Sequence, residues 1–250
     1  MSRNESYSAL ILRSRPSGEA NRDVWLLTAE AGLLRATVFG GPKSRLRAYA
    51  APFHSGQAWI YHDPVKDSRK LSDFDVRSWR PGLREVYERA MTADAAAETV
   101  MASHGGGGNW AAALALTEAV LDALADAAEE SCGRLLVYFW WRWTELLGFA
   151  PELEHCASCG KAVPQDSPLW YSPHENAMIC AACVRDHGAH SSGLTLAGPG
   201  CRRWLEAVRP LAPVLISRYT LDSKSFSEAR SLTTAILAGA LGKRLASWDW

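Results

Sequence analysis

The sequence predicts an α+β chain of more than one domain: a small strand-built barrel, then a helical bundle with a cysteine-rich module embedded in it. Three observations predict it. Five short apolar or alternating runs precede residue 80, helical spacing takes over after Pro81, and two Cys-x-x-Cys pairs fall between 156 and 183. At 250 residues, 48% hydrophobic and 22% charged, the chain can bury one large core or two smaller ones.

The strand runs are Tyr7–Leu12, Val24–Thr28, Leu33–Phe39, Ala58–Tyr61 and Leu71–Val76. Turn residues bound them at Ser17-Gly18, Ala31-Gly32, Gly40-Gly41-Pro42 and His62-Asp63-Pro64, where a positive or fixed φ is wanted. Five strands in this span suit a closed or partly open barrel, because curling the sheet hides its edges. Pro81 fits a first helical turn, and Leu83, Val86, Tyr87, Ala90 and Met91 then recur at helical spacing towards Met101. Gly105 to Gly108 cannot continue that helix and, with no Lys-Ser/Thr after it, reads as a flexible connector and not a phosphate loop. A second helix is expected over Trp110–Ala128 and a third over Cys132–Leu147. The third is apolar nearly all round, which makes it the centre of the bundle, and Gly148 closes it. The tail returns to helices over Leu194–Val208 and Ser225–Ser247, broken at Pro210 and Pro213. The expected domains are therefore a barrel at 1–80, a helical domain made of 81–152 and 188–250, and a metal module at 153–187.

Arg3, Arg13, Arg15, Glu19, Arg22 and Asp23 interrupt the first thirty residues, and no later apolar run reaches membrane-spanning length, so a cytoplasmic location is expected. In that reducing compartment cysteines favour metal binding or burial over disulfides. Cys156, Cys159, Cys180 and Cys183 form two knuckles, each able to offer two thiolates to one tetrahedral ion, and Gly160 follows the first where the turn wants φ > 0. A shell of four thiolates leaves no open position, so one structural Zn²⁺ is expected there, without catalysis. A redox pair would need a thioredoxin-like βαβ unit, which the pattern lacks. His155, His174, His187 and His190 crowd the same stretch, and one of them is an alternative fourth ligand. Cys132 and Cys201 stand alone and belong to the core.

A net charge of zero hides an asymmetry: residues 1–80 carry 13 Lys and Arg against 8 Asp and Glu, and residues 81–150 carry 4 against 10. Lys43, Arg45 and Arg47 stand in a glycine-led loop after a strand, where backbone and side chains can meet phosphates. Arg13, Arg15, Arg22 and Arg35 extend the track, and Tyr49, Phe53, Trp59 and Tyr61 would stack bases if they face outward. On the residues alone the same aromatics serve equally as barrel core and the arginines as a solvated rim. A nuclease would need carboxylates gathered about an open metal position, whereas Asp63, Asp67, Asp73 and Asp75 alternate with Lys66, Arg69, Lys70 and Arg77 as a hairpin surface would. A zinc-bearing protein-interaction module without DNA affinity is the other alternative.

The order of these features resembles the RecO family of bacterial recombination mediators along almost the whole chain. Ala9 to Arg15 with Gly18-Glu19 is similar to the family's first strand and turn, Thr28 to Arg35 to its second hairpin, and Gly40 to Leu46 to its basic loop. Trp143 to Gly160 resembles its helix end, turn and first knuckle, Ser172-Pro173 with Cys180 to Cys183 its second, and Gly242 to Ser247 its closing helix. The resemblance implies an OB-fold barrel, a helical bundle and an embedded four-cysteine zinc module. It also implies a non-enzymatic DNA repair and recombination protein that binds single- and double-stranded DNA and anneals complementary strands. Such a protein works with RecR and the C-terminal tail of single-strand-binding protein to load RecA. Carried over by position, the DNA contacts fall on Lys43, Arg45, Arg47, Arg13, Arg15 and Arg35. The glycine run and the tryptophan-rich C-terminus depart from the family pattern.

Overall fold

In the computed structural model, which describes residues 4–41, 44–186 and 193–249, β1 (Asn4–Ser17) is long enough to pair along both edges. Its first half pairs with β4 (Ser55–Asp63) and its second with β2 (Asn21–Thr28), and that double pairing closes the barrel. With β3 (Gly32–Val38) and β5 (Ser68–Ser78), the order is β1-β2-β3-β5-β4, and β3 meets β5 in parallel. A short helix α1 (Arg45–Tyr49) separates β3 from β4, and its Leu46 and Tyr49 pack against the barrel core. This is the expected OB-fold. The interior is filled by Ala9, Ile11, Val24, Leu26, Ala36, Val38, Ala58, Ile60, Leu71 and Phe74, alternate residues of each strand except β5, where a bulge between Leu71 and Asp73 sets the inward pair three apart.

The chain divides into two compact units, Met1–Asp126 and Ala127–Trp250. In the first, α2 (Tyr87–Ala102) and α3 (Trp110–Ala125) pack on β1 and β2. Two features fix them there. A Cβ on Gly32 would lie 2.7 Å from the indole of Trp110, so that turn needs glycine both for its φ of +67° and for close approach. Arg80, buried and itself in the left-handed region, donates to the Asp122 carboxylate at 2.6 Å, the Phe53 carbonyl and the Ser55 hydroxyl, joining α3 to β4. The glycine run is not loose: all four residues have positive φ, Gly105 and Gly106 are buried, and Gly105 packs against Leu27 and Leu33.

In the second unit, α4 (Glu129–Leu146) buries Tyr138, Phe139, Trp140, Trp141 and Trp143 and ends before Gly148, whose φ is +75°. Strands β6 (Leu169–Ser172) and β7 (Ala177–Cys180) form a hairpin, α5 (Ala181–Asp186) follows, and β8 (Thr195–Ala197) adds to β6. Helices α6 (Pro199–Val208) and α7 (Ser223–Leu241) pack with α4. The expected helix from Leu194 therefore begins five residues late. Residues 195–197 lie beside β6 with their backbone in its ladder, and Pro199 sets the first helical turn. Among the described residues no helix is long and apolar enough to cross a membrane.

Arg202 on α6 is fully buried and spends all five of its N–H donors on main-chain carbonyls. Leu153 accepts two bonds, at 3.1 and 2.6 Å, and Val163, Pro164 and Ser167 one each. Arg202→Met would strand those carbonyls without donors, at a cost to unit stability of about 3–4 kcal/mol. Urea unfolding checks this; a loss under about 1 kcal/mol would show that the cage is not needed.

Candidate nucleic-acid face and metal centre

The bulge between Ile11 and Arg13 sets Leu12 and Arg13 against the single β2 residue Trp25, and both therefore leave the barrel interior. Beyond it the pairing runs Arg13–Trp25–Arg35 across β1, β2 and β3, and Arg15–Asp23–Thr37–Lys70 across β1, β2, β3 and β5. Since cross-strand partners share a face, these side chains form two adjacent rows on the outside of the barrel. The Arg15 and Arg35 guanidiniums lie 6.0 and 5.5 Å from the centre of the half-buried Trp25 ring. Lys70 lies 5.6 Å from the ring of Phe39, which is exposed. A planar aromatic surface flanked by cations is what an unpaired strand requires, with stacking for bases and charge for phosphates.

Two carboxylates moderate the face. Burial opposes ionisation of Asp23, but hydrogen bonds from Arg35 and Thr37 outweigh it and hold the carboxyl below its usual range. Arg35 still keeps 63% of its side-chain surface exposed while bonded to it. Asp94 on α2 is raised by burial and drawn back down by the charge of Arg13. Arg13 thus stands at the edge of the face, beside an acid.

The structure brings Arg13, Arg15 and Arg35 together, and it separates Arg45 from Arg47. These two lie two residues apart on α1, about 200° around the helix. Arg45 folds over Tyr49, 5.6 Å from its ring centre, and donates to its hydroxyl at 2.7 Å. Lys43 lies outside the described residues. Of the expected stacking residues, Phe53 is core, Tyr61 is half-buried, and Trp59 is exposed on β4. Trp25, the ring with two guanidiniums close to it, was not among them. Its signal is the inward–outward alternation Val24-Trp25-Leu26, but the bulge that sets Arg13 and Arg15 beside it is invisible in sequence.

In the second unit the sulfur atoms of Cys156, Cys159, Cys180 and Cys183 all lie within 4.8 Å of one another. Tetrahedral Zn–S bonds of about 2.3 Å place sulfurs about 3.8 Å apart, so the donor set fits a metal ion. Gly160, at φ +68°, turns the first knuckle back, and its N–H donates to the Cys156 carbonyl at 2.8 Å. β7 delivers Cys180 and α5 delivers Cys183. Burial disfavours a charge on Cys156, but N–H groups of Cys180 and Cys159 outweigh it and bring the thiol down to about 6. For Cys183, a bond from Ser158 favours the thiolate, but burial and the neighbouring sulfurs push it up to about 12. A cation among the four would favour the thiolate throughout. His155 faces elsewhere, bonded to Glu152 at 2.6 Å, and His174 is exposed. His187 and His190 lie outside the described residues. Asp63, Asp67, Asp73 and Asp75 form no metal-holding group among the described residues.

The family model described as "Recombination protein O N terminal" matches residues 1–78, and "Recombination protein O C terminal" matches residues 84–249. The chain belongs to the RecO family. The protein named DNA repair protein RecO from Rubrobacter xylanophilus is 31% identical over 179 residues, covering 71% of this chain and 70% of its own. Its namesake in a Nocardioides species is 26% identical over 250 residues, covering 96% and 95%, and that of Heliobacterium modesticaldum 27% over 257, covering 96% and 86%. In this RecO chain the N-terminal match coincides with the barrel, and the C-terminal match contains all four cysteines.

Changing Cys156 to Ser removes the most buried of the four thiols from this RecO-family centre. Metal affinity is expected to fall by more than the ~10–100-fold that losing an outer-shell partner costs. Hydrogen exchange should rise over 156–163 and 177–186. Wild-type metal content with unchanged exchange would contradict the assignment.

Proposed function

We propose that this chain acts in DNA repair and homologous recombination as a non-catalytic mediator: it binds single- and double-stranded DNA, anneals complementary strands, and with RecR helps load RecA onto strands coated by single-strand-binding protein. The observation that carries the reading is Trp25 on the outside of a closed OB barrel, with the guanidiniums of Arg15 from β1 and Arg35 from β3 close to its ring. Phosphates meeting Arg13, Arg15, Arg35 and Lys70 release counterions, and bases stack on Trp25 and on exposed Phe39. A strand held this way keeps part of its charge neutralised, so a second strand approaches against weaker repulsion. Pairing follows from base complementarity, and no bond is made or broken by the protein.

Arg47 and Lys43 would extend the phosphate track beyond this face, and Arg45 would reach the same strand as a further DNA contact. The ion held by the four cysteines is proposed to be one Zn²⁺, bracing the second unit and taking no part in chemistry. The acidic tail of single-strand-binding protein is the proposed ligand of the helical part, and RecA an indirect partner. The proposed location is the cytoplasm, at the nucleoid.

Anisotropy titrations of a labelled thymidine oligonucleotide over a range of salt test the reading. Trp25→Ala should weaken binding by about 1–3 kcal/mol. Arg15→Ala with Lys70→Ala should reduce the slope of log affinity against log salt by about 1.4, close to 0.7 for each lost phosphate contact. Unchanged affinity and slope in well-folded variants would refute it.

A further inference from the structure

A cleft beside α1 differs in chemistry from the basic face. Helix α1 contributes Arg45 and Tyr49, β4 contributes Trp59, and β5, which pairs with β4 and packs against α1, contributes Asp73 and Asp75. The cleft encloses about 810 Å³, ample for a nucleobase. Asp73 and Asp75 sit on the same side of β5, both exposed, and Asp73 is the cross-strand partner of Trp59. Their charge repels phosphate, so the cleft is no path for a DNA backbone.

The two carboxylates are not equivalent. Asp73 accepts the N–H of Phe74 at 2.9 Å and feels the charge of Arg45. Asp75 makes no side-chain hydrogen bond or ion pair with the described residues, which leaves both of its oxygens as acceptors. Two acceptor oxygens side by side match two donors side by side. Among the DNA bases only guanine presents that pattern on its Watson–Crick edge, as N1–H next to the N2 amine. Thymine's N3–H lies between two carbonyl acceptors that a carboxylate repels, and cytosine and adenine each set an acceptor beside their amine. Arg45 is donor-only and suits O6 and N7 of the same base, and Trp59 offers a planar face for stacking.

We propose that this cleft is a slot for one unpaired guanine of a DNA single strand, with Asp75 on N1–H and the N2 amine, Arg45 on O6 or N7, and Trp59 against the ring. In a duplex that edge is occupied by cytosine, so the slot distinguishes a single strand from a paired one by chemistry and not by charge. The proposal rests on the DNA-binding reading above and adds a base preference to it.

The test uses thymidine oligonucleotides of equal length whose central position is thymine, guanine or hypoxanthine, which keeps N1–H and O6 but lacks the amine. Wild-type protein is expected to bind the guanine oligonucleotide about 5-fold or more tighter than the thymine one, with hypoxanthine between them. Asp75→Asn exchanges one acceptor for a donor on an exposed side chain; it should abolish the preference while holding or raising affinity for the all-thymine strand. Trp59→Leu should bring the guanine oligonucleotide towards the thymine one. Equal wild-type affinities for the three, or a guanine preference that survives Asp75→Asn, overturns the slot and leaves the DNA-binding reading standing. Binding to none of the three overturns both.

Discussion

Closing a five-stranded barrel obliges β1 to pair along both edges, and in this chain it does so by taking one extra residue at the bulge between Ile11 and Arg13. Ala9 and Ile11 face inward before the bulge, while Leu10 and Leu12 are buried outside the interior, where α2 and α3 pack on β1 and β2. After it, Arg13 and Arg15 take the outward positions opposite Trp25 and Asp23. Without the extra residue the alternation would run on unshifted, and Arg13 and Arg15 would fall on the interior side. One residue of register thus decides whether the first unit has a cationic face or charges buried in its core.

The second unit solves a different problem. Within the stretch from Leu153 to Asp186 the side chains of Leu153, Leu169, Tyr171 and Met178 are buried, but the knuckles themselves rest on a core of only Cys156, Ile179 and Cys183, too small to order them alone. Two devices share the task. The guanidinium of Arg202 gathers the carbonyls of 153–167 onto α6, and the tetrathiol group ties the knuckle after Leu153 to the end of β7 and to α5. One acts through hydrogen bonds in a dry interior, and the other would act through metal–sulfur bonds once an ion is held. The two devices are three residues apart, at Leu153 and Cys156.

The barrel was legible because its strands alternate and its turns carry Gly, Asp or Pro, and the gathering of the four cysteines because two Cys-x-x-Cys pairs have few other uses. The central place of α4 followed from its breadth of apolar surface, and Trp140, Trp141 and Trp143 are indeed buried. What escaped depends on distant parts of the chain. The strand at Thr195–Ala197 exists because β6 has a free edge there, and three residues give too short a period to detect. Helix α1 spans only 45–49 and is held by the barrel core beneath Leu46 and Tyr49. Trp25 passed for one more strand residue, since its meaning lies in Arg15 and Arg35 on the neighbouring strands. The basic loop drew attention through its dense run of charge, whereas the cations that converge come from three strands, β1, β3 and β5, and are spread from Arg13 to Lys70.

The proposed function requires a single strand to lie across β1, β2 and β3 with a base on Trp25. Photo-cross-linking of an oligonucleotide carrying 5-iodouracil, followed by mass mapping of the adduct peptides, addresses it directly. Adducts are expected at Trp25, with Phe39 the next site. Adducts confined to residues 127–249, with none on the barrel, would contradict it.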